Sequence, residues 1–251
     1  MDRRTALPLA EQIAAAQAWW REAGVDLAFS DEPQGWLAEP EEEEAPVRPT
    51  VSAAALPVEP ERSRIGGDPA GWPQDLDGFH RWWLEEPSLD RGGMRPRIAP
   101  RGPQGAPLAV LVPMPEAEDA DRLLSGPQGR LVASMLQAMG FDPEAVYIAA
   151  ALPRYEVVPD WAALGRDGLG EVLRHHLALA APERLIVLGR DVSPLLRHDW
   201  AQPAPVVDEI AIQARQLPVM TSFSPARLLE QPGLRKRLWQ QWLEWSERDM
   251  G

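Results

Sequence analysis

The 251-residue chain contains no cysteine, which excludes disulfides, thiolate zinc sites, cysteine nucleophiles and cysteine-ligated iron–sulfur clusters. Histidine is scarce. Of its four imidazoles, His175 and His176 are adjacent, so on a helix they point about 100° apart, and His80 and His198 stand elsewhere; no metal and no cofactor is expected. Long apolar runs are missing as well. The longest, Leu108 to Val112 and Val146 to Leu152, fall far below the roughly 18 residues that cross a bilayer. The opening Met1-Asp2-Arg3-Arg4 leads into a helical pattern and not into the apolar stretch of a secretory signal, so a cytoplasmic protein without membrane contact is expected. No Gly-x-Gly-x-x-Gly follows Val112, and neither a Walker loop nor a Gly-x-Ser-x-Gly elbow occurs. Net positive charge is lacking too: at −13 the average field repels polyanions, so any DNA contact must be local.

Proline and glycine are plentiful, at 27 and 19. Acidity is concentrated at the front, where residues 1–68 carry 6 basic and 14 acidic side chains. Residues 1–29 hold an amphipathic helix, with Leu9, Ile13, Ala16, Trp19, Trp20 and Ala23 at helical spacing and Gly24 at its stop. Its Trp19/Trp20 face offers a surface for a protein partner or for its own domain. Residues 30–68 form an acidic Pro/Glu-rich linker, with Glu41 to Glu44 consecutive.

Residues 69–251 read as the folded domain. A short helix around Leu76, Phe79, Trp82 and Trp83 precedes four apolar runs that read as buried strands: Leu108 to Val112, Ala145 to Ala150, Arg184 to Leu188 and Leu217 to Thr221. Helical patterns lie between and after them, at Arg130 to Met139, Asp167 to Ala181, Arg190 to Arg197 and Leu234 to about Arg248. This alternation predicts an α/β fold of three layers, α/β/α, around a four-stranded, mainly parallel sheet. Ligands of such sheets sit beyond the carboxyl ends of the strands, here Val112 to Glu116, Ala150 to Tyr155, Gly189 to Asp191 and Ser222 to Arg227.

Two features have both an ordinary and a functional reading. Ser224 before Pro225 is a normal helix N-cap and also the one serine at a plausible strand end. Arg227, Arg235, Lys236 and Arg237 are the densest basic cluster, either a solvated helix face or a DNA-phosphate patch. The Trp239, Trp242 and Trp245 stripe, with Leu238, reads as core.

From Leu108 onward the order of pieces resembles the uracil-DNA glycosylase superfamily, in its iron–sulfur (family 4) branch. The pieces are Val-Pro-Met-Pro-Glu-Ala-Glu-Asp at 112–119, Ser-Gly-Pro-Gln-Gly-Arg-Leu-Val-Ala-Ser-Met-Leu at 125–136, and Gly140-Phe141 leading into Val146-Tyr147-Ile148. Ala-Pro-Glu-Arg-Leu-Ile-Val-Leu-Gly-Arg at 181–190 and Phe-Ser-Pro-Ala-Arg-Leu-Leu at 223–229 complete the set. The stretch from Ala18 to Asp26 is similar to an N-terminal extension of some bacterial members. The resemblance implies a pocket for a flipped uracil whose departing anion is stabilised by fixed donors.

It also implies a Gly-Glu-x-Pro-Gly segment, a stacking Phe, a base-reading Asn and a His-Pro motif. In this chain Val112-Pro113-Met114-Pro115-Glu116 replaces the first, Leu124 stands nearest the second, Ala150 takes the Asn position and Ser224 the His position. Pro115, Gly126, Gly129 and Pro225 are retained, and the four cluster cysteines are absent. The expected base pocket is therefore Pro113, Met114, Pro115, Leu124, Ala150, Ser224 and Pro225, with Glu118, Asp119 and Ser224 as candidates for any surviving chemistry. The implied function is a glycosylase-like, DNA-repair-related binding or adaptor module with lost or altered base excision. The alternatives are an active DNA glycosylase with a rearranged pocket, and a fold that has left nucleic acid altogether.

Overall fold

A computed structural model describes residues 8–22, 64–197, 207–213 and 215–249. The chain divides into two units, 1–56 and 57–251. In the first, α1 is a helix over Leu9–Glu22, and Leu9, Ile13, Trp19 and Trp20 are exposed on it; Ala23 and Gly24, the expected stop, lie outside the described residues. The two indoles meet edge to face at 5.0 Å. The linker expected over 30–68 lies outside the described residues except for 64–68, where Ile65 and Gly66 are buried in the second unit and the Gly66 carbonyl accepts from Trp72 Nε1 at 2.6 Å.

The second unit is an α/β fold around a five-stranded sheet. Its elements in chain order are α2 (Leu76–Glu85), β1 (Ala109–Val112), α3 (Pro127–Ala138), β2 (Tyr147–Ala150), α4 (Trp161–Arg166), α5 (Leu169–Ala180), β3 (Leu185–Leu188), β4 (Val207–Ile212), β5 (Arg215–Ser222), α6 (Pro225–Glu230) and α7 (Pro232–Asp249). The strand order is β2-β1-β3-β5-β4. Four strands are parallel, with Val112 opposite Ala150, Leu111 opposite Val187, and Leu188 opposite Ser222; β4 runs antiparallel to β5.

Alternate residues of each parallel strand enter different cores, which is why these strands read as unbroken apolar runs. Leu111, Ala149 and Val187 join Phe79 and Trp83 of α2 and Val172 and Leu177 of α5. Val110, Ile148 and Ile186 join Leu136 of α3, Leu228 of α6 and Trp242 of α7. Each of the Val, Leu, Ile and Phe side chains among them contributes roughly 1.5–3 kcal/mol by leaving water.

The sheet has five strands where the sequence predicts four. The additional β4 is an edge strand in which Ile210 and Ile212 are buried while Glu209 and Ala211 are exposed, so no continuous apolar run marks it. The helix expected over Asp167 to Ala181 is α5, entered at Gly168 with φ +99°, and the short α4 that precedes it is an addition. The helix expected over Arg190 to Arg197 is only a 3₁₀ turn, Ser193–Leu196, and Pro194 lacks the N–H that would bond the Arg190 carbonyl in a helix begun there.

Candidate functional site

The sheet changes direction at β1. The chain passes from β1 to β2 on one side and then to β3 on the other, so the loops leaving β1 and β3 diverge and open a crevice beyond their carboxyl ends. A cleft of about 500 Å³ lies there, and each of the four strand ends read from the sequence contributes to it. Pro113, Met114 and Pro115 come from the loop after β1, Tyr155 from the segment after β2, Arg190 and Asp191 from the loop after β3, and Phe223 and Ser224 from the end of β5. The β1 and β3 loops touch: a Cβ on Gly189 would sit 2.8 Å from Pro113 Cγ, so only glycine allows this approach.

Four of the seven residues of the expected base pocket line the cleft together: Pro113, Met114, Pro115 and Ser224. Ser224 has the extended backbone of an N-cap to α6, but its side chain makes no capping bond. Leu124, Ala150 and Pro225 are buried and do not line it. Leu124 and Ala150 belong to the core shared with α3 and α7.

The carboxylates expected to carry chemistry are placed otherwise. Glu118 is exposed and outside the cleft lining. Asp119 is buried and accepts four bonds of 2.6–2.8 Å, from the backbone N–H groups of Glu116, Leu124 and Ser125 and from Ser125 Oγ. Glu116, also buried, accepts from Gly126, Gln128 and Gly129 N–H at 2.8–3.0 Å and so caps the first turn of α3, whose N-cap Gly126 has no side chain to do it. Both acids hold the loop between β1 and α3. Neither lines the cleft.

The basic cluster separates in the same way. Arg227 lines the cleft and Arg237 reaches its rim, their guanidinium carbons 5.6 and 6.0 Å from the centroid of the Phe223 ring. Arg235 instead donates to the Leu228 and Leu229 carbonyls at the end of α6, and Lys236 is exposed outside the lining. Arg190, which the sequence offers only as part of a strand end, joins Phe223 at 5.2 Å. Arg95 lies 5.3 Å from the Tyr155 ring. The arginine–aromatic rim combines loops and helices from distant parts of the chain. No local motif announces it.

The described histidines gather elsewhere. The hydroxyl of Tyr147, the first residue of β2, lies between His80 Nε2 at 2.8 Å and His176 Nε2 at 2.7 Å, donating to one ring and accepting from the other. Burial, and then the neighbouring His80 and His175, push His176 down to about 3, and burial pushes the Tyr147 hydroxyl up. This network sits at the amino end of β2, opposite the cleft. Among the described residues no group of three or more His, Asp or Glu side chains gathers to hold a metal ion. No described helix is long and apolar enough to cross a membrane.

The cleft can bind an anion beside an apolar or aromatic group. Among the described residues Asp191 is the one carboxylate in its lining, and no described imidazole faces it. Set against known proteins, the chain matches no family model and no curated protein.

Proposed function

We propose that the chain is a uracil-DNA glycosylase-like protein of three-layer α/β/α architecture that has kept the frame and lost the standard chemistry, working as a DNA-repair-related binding or adaptor module. Two cores on alternate strand residues support the layering. One observation carries the functional half: the cleft at the strand ends presents prolines, aromatics and arginines, while Asp119 is consumed by backbone N–H groups and Ser224 offers only a neutral hydroxyl. Loss of an anion-stabilising donor costs roughly 10²–10³-fold in rate, and loss of acid–base help roughly 10²–10⁴-fold. The exposed Trp19/Trp20 face of α1 suits the adaptor role, as a helix laid into a partner's groove.

Incubation of the full chain with a uracil-containing single strand, followed by alkaline cleavage of abasic sites, tests the reading. No enzyme-dependent cleavage is expected; turnover at a normal glycosylase rate ends the proposal. A second reading, an active glycosylase with a rearranged pocket, is favoured by Asp191 and Ser224 lining one cleft. It requires that Asp191→Asn and Ser224→Ala abolish base release.

A further inference from the structure

We infer that the cleft takes a nucleoside phosphomonoester, with its phosphate on the arginines around Phe223 and its base against the aromatic walls. The inference deepens the binding half of the function proposed above and rests on it, but it needs no glycosylase ancestry.

The guanidinium groups of Arg190, Arg227 and Arg237 lie 5.2, 5.6 and 6.0 Å from the centroid of one ring, Phe223. They arrive from the loop after β3, from α6 and from α7. Among the described residues no carboxylate forms an ion pair with any of them, Asp191 included. Three like charges held at one side chain repel one another, and an anion relieves that repulsion. In a chain of net charge −13, such a concentration of unpaired positive charge is not a general solubility surface.

The shape of the charge decides between anions. Sites that track a single strand spread their cations along a groove and stack successive bases. Here the cations share one ring, which matches one compact group carrying about −1.5 to −2 charge and three acceptor oxygens. Arg supplies forked donors suited to those oxygens. Beside it, a cleft of about 500 Å³ walled by Met114, Tyr155, Trp161 and Phe223 has the size and surface for a nucleoside.

Calorimetric titration of the full chain with adenosine and thymidine 5′-monophosphates, against the corresponding nucleosides, tests this. The nucleotides should bind at least about tenfold more tightly than the nucleosides, as charge-assisted hydrogen bonds require. The combined Arg190→Gln, Arg227→Gln, Arg237→Gln variant should lose that difference. Arg81→Gln, an exposed arginine of α2 outside the cleft, should keep it. Phe223→Leu retains the apolar wall and should weaken nucleotide binding severalfold by releasing the guanidinium groups. Circular dichroism of each variant separates loss of binding from loss of fold.

Oligothymidylates with and without a 5′-phosphate identify the source: preference for the phosphorylated end assigns a strand terminus, and binding of mononucleotides alone assigns free nucleotides. Equal affinity of nucleosides and nucleotides, or an unchanged triple variant, overturns the inference. So does equal binding of both oligonucleotides without mononucleotide binding, which shifts recognition to internal phosphodiesters and leaves the proposed function standing. Competition by oligoglutamate as effective as that by nucleotide also overturns it, in favour of an acidic protein partner. Rapid uracil excision with nucleotide binding intact defeats the proposed function alone.

Discussion

The Asp119 carboxylate accepts the backbone N–H of Leu124 at 2.8 Å, and Leu124 is held at φ +58°, a left-handed conformation that a leucine rarely adopts. A second carboxylate oxygen takes the next N–H and hydroxyl, of Ser125, so the strained residue is fixed from two sides.

Asp119→Asn should therefore act on folding. The amide has one acceptor oxygen and sets an NH2 donor where the second oxygen accepted, and buried N–H groups left without partners cost about 1–3 kcal/mol each. Urea denaturation should show a loss of about 2–4 kcal/mol, with nucleotide affinity per folded molecule unchanged. A stable variant that loses only ligand binding would place Asp119 in the cleft's chemistry after all.

Two glycines should separate stability from binding. A Cβ on Gly129 would lie 1.8 Å from the Leu124 carbonyl oxygen, a backbone atom that cannot yield, whereas one on Gly189 would meet Pro113 Cγ at 2.8 Å. Gly129→Ala should prevent folding or lower the melting temperature severely. Gly189→Ala should fold with a smaller loss and bind ligand less well, because it pushes the β1 loop at the cleft mouth.

Asp90 ties the loop bearing Arg95 to the end of β2. Its carboxylate, 2% exposed, receives Arg97 Nε at 3.0 Å and Arg154 Nε at 2.8 Å. Arg154 also donates to the carbonyls of Gly93 and Arg95 at 2.8 Å. Asp90→Asn leaves two largely buried guanidinium groups uncompensated, and equilibrium unfolding should show a loss of about 3–5 kcal/mol. The freed loop should also release Arg95 from Tyr155, which fluorescence or proteolysis of the loop would reveal.

Stability should fall on acidification from neutral pH. His176, held at about 3 by burial and by its His80 and His175 neighbours, stays neutral in the folded state, while the unfolded imidazole takes up a proton near 6.5. Protons thus favour unfolding: the full contribution of His176 is present above about 6.5 and is lost as the pH drops toward 3. His80, lowered by burial against the opposing pull of Asp77, works in the same direction. Asp90 adds a further loss at lower pH. Burial raises its pKa, but the bonds from Arg97, Gly92 and Arg154 win, and it sits below the usual carboxylate range. The urea midpoint should decline between pH 7.5 and 5, and His176→Gln should flatten that decline; an unchanged slope would remove His176 as its source.

The sheet was readable in the chain because strands buried on both faces need unbroken apolar runs, and Ala109–Val112, Tyr147–Ala150 and Leu185–Leu188 have them. The strand Val207–Ile212 was not, since an edge strand buries only alternate residues. The place of the cleft followed from strand ends alone. Its membership did not: Tyr155, Trp161 and Phe223 are ordinary aromatics until the fold turns them to one opening.

Amino-acid order alone settled the alternation of helix and strand, the acidic front and the exclusion of thiol chemistry, since each depends on local periodicity or composition. Only tertiary packing decided which charges work together. Arg235, Lys236 and Arg237 are consecutive, yet successive helical residues point about 100° apart, so one caps α6, one is exposed and one meets Arg190 and Arg227 at Phe223. A carboxylate's position in sequence likewise says nothing of whether backbone N–H groups will surround it, and that enclosure is what removed Asp119 from the cleft.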